Sequence, residues 1–129
     1  ITGKTTDLLG PCAALLLNAL KELAGIPHSQ PVISPAAIEP IQTLKTQYLG
    51  SKNPRLHMDE VLIALSVSAA SDPNAQKALE QLPNLKGCQA HTSVMVSDVD
   101  RKLFMKLSIQ ATFEAKYEND SVIFPKKGI

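Results

Sequence analysis

Apolar residues along the first part of the chain recur with the spacing of a helix. Residues 11–24, PCAALLLNALKELA, are apolar on nearly every side and leave only one narrow polar stripe. Such a pattern is typical of a buried helix. Pro11 suits the first helical position, and Gly25 suits the C-terminal end. We therefore expect a buried helix from residue 11 to residue 24.

A second helix is predicted after a proline-containing turn. Ser34 and Pro35 are residue types preferred at the N-cap and at the first position of a helix, and Gly50 suits its end. Pro40 lies inside this span, so we expect a kink or a second start there, because proline lacks the N–H that a helix interior uses. The side predicted to face the interior carries Ile38, Ile41, Leu44, Tyr48 and Leu49.

Two more helices are predicted after a polar loop. Residues 60–71 are apolar on most sides, and the acids at the start of this segment suit the positive end of a helix. This pattern predicts a central helix. Asp72 and Pro73 then begin a further helical segment that we expect to reach about Leu82.

Alternation of apolar and polar residues predicts strands in the last third of the chain. The period becomes two at residues 88–96 and again at residues 109–117. Between them, Ser97 and Asp100 resemble a capping box and begin a short helix. The side chains of that helix predicted to face inward are Val99, Leu103, Phe104 and Leu107. A short buried strand is also predicted at residues 32–33.

These elements predict an α+β fold: a helix-rich single domain with a small sheet of two to four strands covered by helices. The domain would comprise residues 1–118, and residues 119–129 would form a loosely held C-terminal tail. Two or three strands cannot hide their own edges, so we expect partner strands in another part of a longer protein.

The composition and the length of the apolar runs argue against two classes of binding partner. Of the 129 residues, 44% are hydrophobic and 19% charged, and the net charge is +1, so no nucleic-acid partner is expected. The apolar run at residues 12–20 is too short to span a bilayer, so no membrane partner is expected either. Cys12 and Cys88 do not make a disulfide framework, which favours a cytoplasmic location. Since the first residue is Ile1, we expect a piece of a longer protein.

The stretch GKT at residues 3–5 has the ending of a phosphate-binding loop. Such a loop requires a helix that begins at its Lys-Thr pair. The predicted helix start is Pro11, so this type of nucleotide site is not favoured. A looser anion-binding loop stays open beside a purely structural role in a turn, which we favour. The residues of that loop are Lys4, Thr5, Thr6 and Asp7.

The densest group of side chains suited to catalysis or binding lies in the loop KNPRLHMDE, at a helix entrance. An arginine there could hold a carboxylate or phosphate, and a histidine could move a proton near neutral pH. The alternative is a solvated loop with acids that complement the helix dipole. The candidate ligand-binding residues are Asn53, Arg55, His57 and Asp59. No catalytic residue and no cofactor can be assigned.

Cys88 and His91 are three residues apart, which is close to a metal-ligand spacing. On a strand, positions i and i+3 point to opposite faces. We therefore predict a buried Cys88, a His91 on the other face, and no metal site.

Three stretches together resemble one protein family: TGKTTDLLGPCAALLLNALKELAGI, ISPAAIEPIQTLKTQYLGSKNPRLHMDEVLIALS and GCQAHTSVMVSDVDRKLFMKLSIQATFEAKYE. They are similar to the C-terminal part of an uncharacterised bacterial family, domain of unknown function 1846, from Ile1 to about Glu118. The resemblance implies that the chain is the last portion of a longer protein. It also implies a glycine at position 108, where this chain has Ser108.

The working hypothesis is a C-terminal module that completes a small anionic-ligand pocket together with the absent N-terminal part of the parent protein. The pocket would combine the loops 4–7 and 53–59. Two alternatives stay open: a structural or oligomerisation domain, with a homo-oligomer as its form, or a part of a nucleotide-dependent enzyme.

Overall fold

Helices cover a small sheet in the computed structural model, which describes residues 1–4, 6, 8–92, 96–113 and 120–124. The helices are α1 (Pro11–Leu23), α2 (Pro35–Thr43), α3 (Met58–Ala69), α4 (Pro73–Leu79) and α5 (Asp98–Lys106), with a π-helical segment at Leu44–Tyr48 and a 3₁₀ turn at Leu82–Leu85. The strands are β1 (Thr2–Lys4), β2 (Gln89–Thr92), β3 (Gln110–Phe113) and β4 (Asp120–Phe124). The predicted α+β class is confirmed.

The predicted helix starts agree with the structure. Pro11, Pro35 and Pro73 each lie in the first turn of their helices. The carboxylate of Asp72 accepts a hydrogen bond from the Asn74 backbone N–H at 2.9 Å, which satisfies a donor that the first turn of α4 leaves unpaired. Local residue chemistry is therefore enough to begin these helices.

The sheet has the strand order β1-β4-β2-β3. Strands β2 and β3 are parallel, and α5 forms the connection between them. Strand β4 lies between β1 and β2 and is antiparallel to both. Strands β2 and β3 fall within the two predicted alternating stretches. Strands β1 and β4 were not predicted, and β4 lies within residues 119–129, which the sequence analysis assigned to a tail.

Helix α1 and strand β1 pack closely against each other. Leu15 and Leu20 of α1 are almost completely buried. Strand β1 crosses α1 so closely that a Cβ atom on Gly3 would overlap the backbone N and Cα of Leu15. In this structure Gly3 and Lys4 of the GKT stretch belong to the edge strand β1, and α1 begins only at Pro11.

Several predictions about the region around α2 differ from the structure. Residues 32–33 form no strand, although Val32 is buried. The second helix start that was one alternative at Pro40 is absent, because α2 runs through Pro40 to the π-helical segment. In that segment Lys45 points into the protein, and three side chains predicted to face inward are exposed instead: Leu44, Tyr48 and Leu49.

The C-terminal third of the described chain follows its pattern more closely. Cys88, Ala90 and Thr92 are buried along one face of the β2 segment. In α5, Phe104 is buried as predicted, whereas Val99 is 47% exposed and that prediction is wrong. After α5 the chain turns through Ser108, whose φ of 58° is one that glycine adopts more readily. The predicted residues Val94, Ala115 and Tyr117 lie outside the described part.

No helix in the described ranges combines the length and the apolar character that a membrane span requires.

Candidate functional site

A cavity of about 240 Å³ lies where the N-terminal ends of α1, α3 and α5 meet. Their N-cap residues are Gly10, His57 and Ser97, and all three line this cavity. A helix N-terminus presents free backbone N–H groups and a partial positive charge. The full lining consists of Gly10, Pro11, Cys12, Asn53, Arg55, His57, Ser97 and Asp100.

Backbone hydrogen bonds hold the loop before α3 against the segment before α1. The N–H of Leu56 donates to the carbonyl of Leu8 at 2.9 Å, and the N–H of Gly10 donates to the carbonyl of Leu56 at 3.1 Å. The Leu56 side chain is completely buried and anchors this pairing. The walls of the cavity are therefore fixed by main-chain contacts.

Arg55 joins the two loops that the sequence analysis singled out. Its Nε donates to the carbonyl oxygen of Thr6 at 2.7 Å, and its own backbone N–H donates to Oδ1 of Asn53 at 3.0 Å. A guanidinium has five N–H donors. Within the described residues the Nε bond is the only hydrogen bond recorded for this side chain, so the other N–H groups could bind a ligand in the cavity.

His57 and Asp100 form a pair on the opposite wall. Nδ1 of His57 lies 3.8 Å from Oδ2 of Asp100, and Oδ1 of Asp100 accepts a hydrogen bond from the Met58 N–H at 2.9 Å. The His57 side chain is 37% exposed, whereas that of Asp100 is 9% exposed. Asp100 thus caps α3 from α5, and His57 is a partly exposed residue of the cavity lining.

Burial raises the pKa of Asp100 above its ordinary value, and the nearby charge of Asp59 also raises it. The Met58 N–H, His57 and the Ser97 hydroxyl favour the ionised form and partly offset this effect. The carboxyl group therefore binds a proton more readily than the carboxyl group of an exposed aspartate.

The structure brings together only some of the predicted ligand-binding residues. Asn53, Arg55 and His57 line the cavity. Asp59 lies in the first turn of α3 and outside the lining, and its Oδ1 is buried without a hydrogen-bond partner among the described atoms. The prediction that Asp59 faces this ligand pocket is therefore not supported by its position.

The candidate ligand-binding residues of the loop 4–7 contribute less directly to the cavity. The Thr6 hydroxyl accepts hydrogen bonds from the N–H groups of Leu8 and Leu9 at 3.2 and 2.9 Å, which is the structural role that the sequence analysis favoured for this turn. The backbone of Lys4 belongs to β1. Thr5 and Asp7 lie outside the described residues.

Sequence reasoning missed several lining residues, among them Cys12, Ser97 and Asp100. Ser97 and Asp100 carry a visible signal, the capping-box spacing at the start of α5. The Ser97 hydroxyl does accept from the Asp100 N–H at 3.2 Å. The Asp100 carboxylate, however, contacts α3, and only the tertiary structure reveals this.

Cys88 and His91 have separate surroundings. Cys88 is buried, and its Sγ lies 3.8 Å from the carbonyl oxygen of Asn84. Nδ1 of His91 lies 2.7 Å from the hydroxyl of Thr112 on the neighbouring strand. Across the described ranges, no group of three or more His, Cys, Asp or Glu side chains could hold a metal ion.

Several bacterial proteins are similar to this chain over most of its length. A UPF0371 protein of Corynebacterium efficiens is 59% identical over 95% of the chain, and one of Streptococcus thermophilus is 46% identical over 95%. A UPF0371 protein of Streptococcus pneumoniae is 47% identical over 93%. The chain spans about a quarter of the length of these relatives, since it covers 25%, 25% and 24% of them, respectively.

A family match covers nearly all of the chain. Residues 1–123 match the family described as "Domain of unknown function DUF1846, C-terminal". This match includes the three stretches on which the resemblance was based and all the residues that line the cavity. The chain therefore belongs to the DUF1846 C-terminal domain family.

Proposed function

We propose that this C-terminal module binds a small anionic ligand in the cavity at the N-terminal ends of α1, α3 and α5. The observation that carries the proposal is the cavity lining itself: three helix N-caps, the Arg55 guanidinium and the His57 imidazole surround one space. Helix N-termini attract anions through their dipoles, and arginine suits carboxylate and phosphate geometry.

The size and lining of the cavity favour a compact ligand. The volume of about 240 Å³ lies just below the range of roughly 300–1,000 Å³ that is usual for small-molecule pockets. No Phe, Tyr or Trp side chain is among the lining residues that the structure describes, so only His57 and Arg55 could stack against a base. Inorganic phosphate, a small phosphate ester or a small carboxylate fits this chemistry better than a whole nucleotide.

We also propose that the site is shared with the rest of the full-length protein. The relatives are about four times longer than this chain, and Arg55 and His57 lie on a loop at the rim, where another domain could close over the ligand. Cys12 and Cys88 are not bridged to each other, and on this basis we infer a cytoplasmic location for the whole protein.

The proposal is tested by thermal denaturation of the full-length protein with inorganic phosphate. A ligand at a hundredfold excess over its Kd stabilises the folded state by about 2.7 kcal/mol. Arg55→Gln removes the cavity cation, so we expect this variant to lose most of the stabilisation by phosphate. Arg101→Gln is the matched control, because the Arg101 guanidinium stacks 4.8 Å from the centre of the Phe113 ring and is not part of the cavity lining.

The comparison of the two variants separates site binding from general salt effects. Phosphate also stabilises proteins by exclusion from their surface, and that effect would be equal in both variants. Equal stabilisation of Arg55→Gln and Arg101→Gln by phosphate, sulfate and small carboxylates would overturn the proposal. A lower Tm of Arg55→Gln without phosphate would report only the loss of its bond to Thr6.

A further inference from the structure

Three large apolar side chains project from the π-helical segment and the residue after it. Leu44, Tyr48 and Leu49 are 51%, 78% and 72% exposed, and together we call them the Tyr48 ridge. An open groove of about 500 Å³ lies along the ridge and is lined by Ala36, Glu39, Pro40, Thr43, Leu44 and Tyr48. A continuous apolar surface beside a groove is a common mark of a protein–protein interface.

The outward orientation of the ridge is held by hydrogen bonds. Nζ of Lys45 donates to Oε1 of Glu60 at 2.9 Å and to the carbonyl oxygen of Arg55, and the Lys45 side chain is only 10% exposed. The N–H of Leu49 donates to the carbonyl of Leu44 at 3.0 Å and closes the π turn. Lys45 thus occupies the inward position of this segment, whereas Leu44 and Tyr48 are exposed.

This arrangement is unfavourable for an isolated domain. In a regular α-helix these three side chains would continue the buried side begun by Ile38 and Ile41, as the sequence pattern predicted. The chain instead adopts a π turn, a rare conformation that is frequent at functional sites. Each of these exposed side chains forgoes a favourable burial that a covering partner could supply.

We infer that the Tyr48 ridge is the surface on which the rest of the full-length protein packs. About three quarters of the length of each relative lies outside the region that matches this chain, and a tethered domain meets this surface at a high effective concentration. A second copy of the protein has no such advantage. The occupant is therefore a covalently linked domain and not a separate molecule.

The groove also indicates the chemistry of the occupant. Glu39 lies exposed beside the ridge and has no ion-pair partner among the described residues. The packing surface of the linked domain should thus be apolar, with a lysine or arginine opposite Glu39. Lys45 also contacts the backbone of Arg55, so a domain packed here would lie close to the loop that forms the proposed anion site. The inference itself does not depend on anion binding.

Hydroxyl-radical footprinting of the unmodified full-length protein tests the inference. The oxidation rate of Tyr48 is divided by its rate in the denatured protein, and Met105, which is 73% exposed on α5, is the internal control. If the uncovered state is populated at 10% or less, which is the usual range for minor conformers, we expect Tyr48 to be protected about tenfold or more. Met105 should show little protection.

Two results would overturn the inference. If Tyr48 and Met105 are oxidised to the same extent relative to the denatured protein, nothing covers the ridge. Protection that disappears on dilution would show that a second copy covers it. Cysteine labelling supplies an independent measurement: a thiol introduced by Tyr48→Cys should react about tenfold more slowly with a maleimide than one introduced by Lys102→Cys on α5, by the same population argument.

Discussion

The close packing of Gly3 against α1 bears on how the GKT stretch is interpreted. A Cβ atom at this position would overlap the backbone N and Cα of Leu15, and backbone atoms cannot rotate away. Gly3→Ala must therefore push β1 away from α1. We expect a loss of about 1–3 kcal/mol in the free energy of unfolding, the usual cost of overpacking, measured by urea denaturation.

Gly10→Ala is the matched control for this steric effect. A Cβ atom on Gly10 would meet only the carbonyl oxygen of Leu56 at 3.6 Å, an ordinary contact distance. Its cost should stay under about 1 kcal/mol, since it reflects only the weaker N-cap preference of alanine. If Gly3→Ala is no less stable than Gly10→Ala, the close contact between β1 and α1 is not a steric constraint in the protein.

The role of a residue could be predicted where it depends only on neighbouring residues in the sequence. The late helix start at Pro11 was enough to argue against a phosphate-binding loop, and the residue types of the 53–57 loop were enough to select Arg55 and His57. The packing role of Gly3 could not be predicted, because it depends on a helix residue 12 positions later. Asp100 was missed as a site residue for the same reason, since its carboxylate contacts Met58, 42 positions earlier.

At the scale of helices and strands, starts were easier to predict than faces. Proline and N-cap residues mark the starts of α1, α2 and α4 within the chain itself. Which side of the segment after α2 is buried depends instead on the ion pair between Lys45 and Glu60, which are 15 positions apart. That ion pair accompanies a π turn, and a pattern analysis that assumes a regular helical period then assigns Leu44 and Tyr48 to the wrong side.

Asp100 joins two helices and should make their packing sensitive to pH. Burial raises its pKa above the ordinary value of 3.8. Between the ordinary and the raised pKa, the folded state binds more protons than the unfolded state, so the free energy of unfolding falls as pH rises through this interval. Asp100→Asn removes this titration and keeps an oxygen that can accept from the Met58 N–H.

We therefore expect Asp100→Asn to gain stability, relative to the native protein, between about pH 4 and about pH 7, a range above the ordinary aspartate pKa. Urea denaturation of both proteins across this range measures the difference. Asp98→Asn is the control, because it removes an exposed acid from the same helix. The charges of His57 and Asp59 also affect the pKa of Asp100. An equal stability difference at both ends of the range would contradict the prediction.

For the whole molecule, the class of fold was predictable and the composition of the sheet was not. Helix patterns and the alternation in β2 and β3 depend on neighbouring residues, and together they indicate α+β. The pairing of β1 with β4 joins Thr2 to Val122, at opposite ends of the chain. Neither strand is long enough to show a clear alternation. Partner strands that we expected from a longer protein are in part supplied by this chain.

Strand β4 therefore decides whether residues 119–129 belong to the folded domain. Ser121 pairs with Gly3 on one side and with Thr92 on the other. Proline lacks the N–H of a central strand, so Ser121→Pro should lower the free energy of unfolding by about 3 kcal/mol or more. Thr2→Pro changes the first residue of the edge strand β1, where proline is tolerated, and should cost much less. Urea denaturation of the two variants measures the contrast. Equal stabilities would mean that β4 contributes little to the sheet and that the segment behaves as the loosely held tail predicted from its sequence.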